Sequence, residues 1–316
     1  MFNLKGLHWV GLGFVLALYP LPVFANAGTP LMWTSFLHLF VGNLVLGYVE
    51  AGLLSRLFHT PRGRSLIVLI LANYASAWGG ALLLVNRLSR YSSITIENVQ
   101  LWLGIFVALA FMLTLLIEYP FFWILLRQRQ QAILTALKAT LLIHGMSYLL
   151  LFGWYSANSQ TSLLTQLNQV PAAQLQPSGD YTLHYLNSDE TQAFRSDLDG
   201  TNFETMNREE FESLTADTSF SFGPVPKLTE TTDWDFYAHV FAGGGLSGYN
   251  DTTQARTHWS LETPFVFWAI SHATHLPGDL LVFQLGRDQI CLLHPATQRI
   301  ALIARGKHPV VTENDD

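Results

Sequence analysis

Four apolar runs long enough to cross a bilayer crowd residues 31–155, and the first and third each carry a glutamate, Glu50 and Glu118. A hydrocarbon core of about 30 Å needs roughly 20 helical residues, and residues 31–57, 65–85, 99–126 and 134–155 meet that length. An ionised carboxylate is among the most expensive groups to hold at such depth, so each one calls for a partner, a proton or a task.

Polar residues inside the runs recur at helical spacing, which places them on inward faces. Asn43, Gly47 and Glu50 are related by steps of four and three and share a face. The second run offers Asn73 with Ser76, Ala77 and Gly80, small residues that let a neighbouring backbone come close. In the third, Thr114 and Glu118 are four apart, and Pro120 is expected to open or kink the helix beside the carboxyl. Thr140, His144 and Ser147 form one face of the fourth. At about 1.5 Å per residue from the end that bears the arginines, Glu50 lies roughly 8 Å deep, Glu118 roughly 10 Å, Asn73 roughly 12 Å and His144 roughly 15 Å. A single polar layer of Asn43, Glu50, Asn73, Glu118 and His144 is therefore expected, with Lys138 reaching up to pair with either glutamate.

Two independent signals give one topology. The first residues hold a single lysine, an apolar stretch from Leu7 to Phe24, and Ala25-Asn26-Ala27, which fits a signal peptide cleaved after Ala27. The alternative is an uncleaved anchor helix, disfavoured by Pro20 and Pro22. Starting outside, the two turns on the inner side hold Arg56, Arg62, Arg64, Arg127, Arg129 and Lys138, against Arg87 and Arg90 in the outer loop, in keeping with the positive-inside rule. Trp33, Trp78, Trp102, Trp123 and Trp154 fall toward span ends.

Beyond Tyr155 the composition changes. Residues 1–155 carry nine Lys and Arg against three acids, whereas residues 156–316 carry eight against twenty. So acidic a segment repels nucleic acid and anionic lipid. Residues 156–178, rich in Gln, Ser, Ala and Pro, read as a linker. Alternating runs with turn residues between them then predict hairpins at 181–200 and at 279–304. The expected organisation is a signal peptide (1–27), a bundle of four transmembrane helices (28–155), the linker, and an all-β or mainly-β extracytoplasmic domain (179–316).

Few motifs of chemistry accompany this plan. Cys291 is the only cysteine, which excludes a disulfide framework. No His-Glu-x-x-His zinc motif and no Gly-x-Ser-x-Gly elbow occurs. Gly243 to Gly248 matches the dinucleotide fingerprint on paper but lacks its strand-helix-strand context, and is read as a flexible turn. An aromatic segment holding Trp234, Phe236, Tyr237, Phe241, Trp259, Phe265, Phe267 and Trp268 also carries His239, His258, His272 and His275. Its two readings are a binding site using His272, His275 and Trp259, and an aromatic core with solvent-facing histidines. Asp189, Asp197, Asp199 and Asp288 fall in turns, where calcium is the functional reading and backbone bonding the plain one.

The two predicted hairpins resemble blades of bacterial β-propellers over about fifty residues, although the soluble part is long enough for only four blades, so a small β-sheet domain is expected. With Gly42-Asn43 through Glu50, Asn73 to Trp78, and Glu118-Tyr119-Pro120, the whole plan resembles a group of bacterial multi-span membrane proteins, and that resemblance implies a fold but no activity. It leaves three readings for the polar layer: glue between helices, worth about 0.6–2 kcal/mol per pair, a proton or ion pathway, and a metal or cofactor site. The reading adopted from sequence is a non-enzymatic anchor, scaffold or sensor of a bacterial inner or thylakoid-type membrane. Its outer domain would bind another membrane or extracytoplasmic protein, or a second copy of the chain. The alternative is a proton-coupled transporter or ion pathway using Glu50 and Glu118.

Overall fold

The computed structural model describes residues 38–88, 94–158, 163, 166–175, 179–215, 223–229, 233–239, 245–261 and 268–314. Within them the N-terminal half is helical and the C-terminal half is mostly β. The expected signal peptide lies outside the described residues.

A π-helical turn, His38–Gly42, leads into α1 (Asn43–Phe58), followed by α2 (Arg62–Leu88), α3 (Val99–Leu126) and α4 (Ala132–Asn158). Each helix packs on the next, and α1 closes the bundle against α4. The first turn is built by a left-handed His59 just past α1 and by Pro61, which cannot continue the helix. Arg129, from the turn between α3 and α4, donates to the carbonyls of Phe58 and His59 at 3.0 and 3.1 Å. These are among the carbonyls a helix end leaves without partners, so this arginine binds the two turns together at one end of the bundle. By length and apolarity, α3 and residues Ala132–Gly153 of α4 can cross a membrane.

The bundle is turned inside out relative to a water-soluble one. Ile67, Leu71, Leu116, Leu149 and Phe152 are each more than half exposed, while Asn43, Glu50, Asn73, Glu118, Thr140, His144 and Ser147 are buried. Helix α3 continues through Pro120 without interruption. Its buried apolar core consists of Ala51, Leu54, Leu69, Ala72, Phe122, Leu126, Ala136, Ala139 and Ile143. All of these lie on the arginine-bearing side of Glu50, Asn73, Glu118 and His144.

The β half contains three sheets. The central one orders β1 (Asn168–Gln169), β12 (Arg299–Arg305), β11 (Gln289–His294), β10 (Leu280–Leu285) and β9 (Ile270–Leu276). A second orders β13 (Lys307–Glu313), β2 (Tyr181–Leu186), β3 (Ala193–Asp197) and β4 (Glu204–Met206), with the short helix α5 (Arg208–Thr215) following β4. The third orders β5 (Gly223–Pro224), β6 (Trp234–His239), β7 (Gly245–Asn250) and β8 (Arg256–Ser260). Both predicted hairpins form. Strands β10 and β11 are buried along nearly their whole length because the central sheet faces a core on each side. Leu281, Phe283, Leu285, Cys291 and Leu293 enter one core with Phe236, Leu246 and Trp259, while Leu280, Val282, Ile290 and Leu292 enter the other with Tyr181, Leu183 and Val311. This is the two-residue alternation of a strand, filled with apolar groups on both faces.

Two segments differ from their sequence reading. Residues 156–178 are not a plain tether: Leu163 and Leu167 are buried in the first core, and Asn168 and Gln169 pair in parallel with Arg299 and Ile300. Gly245 to Gly248, expected in a turn, belong to strand β7. Glycine is required there because a Cβ on Gly248 would stand 2.6 Å from the Phe236 ring, and one on Gly245 would meet the carbonyl of Trp259.

Bundle and β domain share a core. Ile94, Ile96, Val99 and Phe106, from the loop before α3 and its first two turns, pack with Trp259, Trp268 and the central sheet, and Trp102 lies against them. The β domain therefore sits at the end of the bundle opposite Arg129.

Candidate functional site

All four helices contribute to one polar cluster at the bundle axis. Glu50 of α1, Glu118 of α3 and His144 of α4 have 1%, 0% and 1% of their surface exposed. Gly47 positions the first of them. One turn before Glu50, it lets α1 approach so closely that an added Cβ would stand 2.8 Å from the Cα of Ile70 on α2. Glu50 is thereby brought against Asn73 of the same helix.

The imidazole of His144 lies between the two carboxyls, with Nδ1 3.3 Å from Oε1 of Glu50 and Nε2 3.4 Å from Oε2 of Glu118. The Phe122 ring meets the imidazole edge to face at 5.4 Å between centroids. Asn73 Nδ2 donates to Oε2 of Glu50 at 2.6 Å and to the Leu69 carbonyl at 3.0 Å. Ser147 Oγ is 2.6 Å from Oε1 of Glu50, and Ser76 Oγ is 2.5 Å from Oε1 of Glu118. Two buried atoms of the cluster have no hydrogen-bond partner, Oε2 of Glu118 and Nε2 of His144, and they are the pair that face each other.

This arrangement has a definite chemistry. An imidazole accepts a proton on one nitrogen and releases one from the other, so His144 can pass protons between Glu118 and Glu50. Two carboxylates and a neutral imidazole carry two negative charges, which burial makes costly unless protons or a cation balance them. One ligating atom from each residue lies within 4.8 Å of the other two, so the same trio can also hold a metal ion.

The surroundings are asymmetric. Toward the arginine-bearing end the bundle interior is mainly the apolar core described above, with Thr140 bonded to the Ala136 carbonyl of its own helix. Toward the β domain it stays polar, with Asn43 buried two turns before Glu50, and Thr114 Oγ1 3.1 Å from the Tyr148 hydroxyl one turn from Glu118 and His144.

Of the residues expected in the polar layer, Glu50, Asn73, Glu118 and His144 meet directly, and Asn43 lies on the same face beyond them. Lys138 does not join. It is exposed and makes no ion pair with either glutamate, because six residues before His144 places it about 120° around the helix. Ser76 and Ser147 are the donors that sequence reasoning treated only as small or face-sharing residues. Their three-residue spacing from Asn73 and His144 is the signal that marks them.

In the β domain the expected trio does not converge into a site. Trp259 is a core residue, 3% exposed. His275 is buried rather than solvent-facing, its Nε2 3.2 Å from Asp279 and its ring edge to face with Phe236. Burial lowers its pKa despite the Asp279 carboxylate. His272 instead meets His308, with Nε2 3.0 Å from the His308 Nδ1, and burial together with that neighbour holds its pKa down at about 4. His308 carries no periodic signal in the sequence. A second cluster lies on the outer face of the third sheet, where Ser247 Oγ sits 2.9 Å from His239 Nε2 and 3.0 Å from His258 Nδ1, beside Tyr237, Tyr249 and Arg256. Asp288 is held by the Arg305 guanidinium at 2.6 and 2.7 Å and by Ser188 at 2.8 Å, and Asp199 caps Thr201. These acids bond to their own turns and neighbours. Burial pushes the Cys291 thiol up, away from reactivity.

No family model, no curated protein and no solved structure matches the chain.

Proposed function

We propose that this is a membrane protein of four spans whose Glu50–His144–Glu118 cluster carries protons as part of a proton-coupled transporter or ion pathway. The observation that carries the reading is the imidazole held between two carboxyls, all three inaccessible to solvent. Helix glue needs every polar atom hydrogen-bonded to be worth its desolvation, whereas here the facing atoms of Glu118 and His144 meet only each other, at 3.4 Å, and make no hydrogen bond. That difference favours a site with a task over the plain anchor.

The membrane setting rests on the outward Leu and Ile side chains and on the length of α3. Its 28 residues measure about 42 Å. With two turns engaged in the β-domain core, about 30 Å remains, the thickness of a hydrocarbon core. The charge asymmetry supports an arginine-bearing end in the cytoplasm and a β domain outside, in a bacterial inner or thylakoid-type membrane, behind a cleaved signal peptide. Because four spans form a narrow unit, the working form is an assembly of copies. The β domain, keyed into the head of α3, caps the pathway.

The test is proton flux in proteoliposomes under an imposed potential. Glu50→Gln and Glu118→Gln, near-isosteric and neutral, are expected to abolish it at normal protein abundance. Flux unchanged in both variants would refute the reading.

A second reading is favoured by the aromatic and imidazole face of the third sheet, where Tyr237, His239 and His258 are exposed beside the half-buried Tyr249, which suits docking of a partner protein. Under it the β domain is the working part, and removal of residues 179–316, not the glutamine variants, abolishes function.

A further inference from the structure

Nε2 of His144 and Oε2 of Glu118 are both buried and both without a hydrogen-bond partner, yet they face each other at 3.4 Å. A charge-assisted N–H···O bond closes to about 2.7–2.9 Å, and this pair does not; the Nδ1–Glu50 contact is nearly as long, 3.3 Å, but its oxygen already accepts from Ser147, which leaves Nε2 and Oε2 as the open pair. Two ligands about 2.0–2.1 Å from a tetrahedral zinc ion stand about 3.4 Å apart. The separation is that of neighbouring ligands on one ion.

The rest of the cluster has the form of a support for such an ion. A metal-bound histidine usually directs its other ring nitrogen at a carboxylate, which fixes the ring and raises its basicity. His144 directs Nδ1 at Glu50, and Glu50 is itself held by Asn73 and Ser147. Glu118 is braced on its other oxygen by Ser76. The donor set, one imidazole and one carboxylate with a second carboxylate behind the imidazole, suits zinc, manganese or ferrous iron. It lacks the thiolates that copper(I) prefers and the all-oxygen cage of calcium. The charge also fits, because one divalent cation balances two carboxylates in a setting where uncompensated charge is costly.

We infer that the cluster binds a divalent transition-metal cation of the zinc type, with Nε2 of His144 and Oε2 of Glu118 as ligands and Glu50 as the positioning carboxylate. The cation reaches the cluster from the β-domain side, where Asn43, Thr114 and Tyr148 line the interior, and is stopped on the other side by Leu54, Leu69, Phe122 and Leu126. This deepens the proton-carrying reading and rests on it: the cation takes the place of the protons that otherwise balance the same carboxylates, so the transported substrate is the metal.

The full chain in lipid nanodiscs, stripped with a chelator, is titrated with zinc chloride against a chromophoric zinc indicator. One zinc per chain is expected. Glu118→Gln and His144→Gln each remove binding, while Glu50→Gln weakens it roughly 10- to 100-fold. The double variant His239→Asn/His258→Asn and the single variant His272→Asn leave it unchanged. X-ray absorption at the zinc edge of the wild-type protein guards against variants that misfold, and it should show mixed nitrogen and oxygen ligands without sulfur. No stoichiometric zinc, or zinc lost on removal of His239 and His258 instead, overturns the inference. Proton flux that depends on Glu118 in a protein that binds no zinc would sink the metal and leave the relay standing. Absence of both would end the two readings together.

Discussion

The backbone N–H of Ile96, in the loop before α3, donates to Oε1 of Gln289 on β11 at 2.8 Å, joining positions 193 residues apart in the chain. Both residues are buried, 1% and 2% exposed. The bond fixes the head of α3, and through it Glu118, to the central sheet. Gln289→Leu strands the Ile96 amide in an apolar core, at a cost of about 1–3 kcal/mol. Amide hydrogen exchange should report faster exchange across residues 94–106 while residues 43–58 stay protected. Equal loosening of both segments would mean that the bond does not serve as the local joint.

Gly47 supports the site without touching it. Gly47→Val places methyl groups where the Ile70 backbone lies, forcing α1 from α2 and stretching the 2.6 Å bond from Asn73 to Glu50. Proton flux is expected to fall at least as far as in Glu50→Gln although both carboxyls remain. Wild-type flux in Gly47→Val would show that the close helix approach is irrelevant to the cluster.

His272 makes the β domain sensitive to acid. Its pKa is depressed from the ordinary 6.5 to about 4, first by burial and then by His308. Between those two values the unfolded chain binds a proton that the folded domain refuses, so stability is present above pH 6.5 and is lost as pH falls toward 4. His272 has a left-handed backbone, φ 49°, which asparagine tolerates, so His272→Asn removes the titration with little strain. Urea unfolding followed by tryptophan fluorescence should show a shallower loss of stability across that window in the variant. An unchanged slope would assign the acid sensitivity to other groups, with His275 the first to examine.

Much of the bundle was legible because polar residues are rare in apolar runs, so their spacing stands out. Steps of three and four placed Asn43, Gly47 and Glu50, and Thr140, His144 and Ser147, on faces that are buried in the fold. Span 99–126 coincides with α3. The pairing of each imidazole nitrogen with its own glutamate was not legible, since helix rotation is set by packing such as Gly47 on Ile70. Val99 and Phe106 look like lipid-facing residues, and nothing local distinguishes an apolar side chain meeting lipid from one meeting another domain. Leu163 and Leu167 are too sparse in a polar segment to announce burial. The glycines of β7 misled because their cause, the Phe236 ring and the Trp259 carbonyl, lies on other strands.

The central claim is that Glu50, His144 and Glu118 pass protons as one unit, and flux through single and double variants in proteoliposomes tests it most directly. Groups that act as a unit are strongly non-additive. His144→Gln alone should therefore lower flux to that of empty liposomes, as should each glutamate variant, and Glu50→Gln with Glu118→Gln should lower it no further. Independent, multiplying losses, or wild-type flux without the imidazole, would contradict the account.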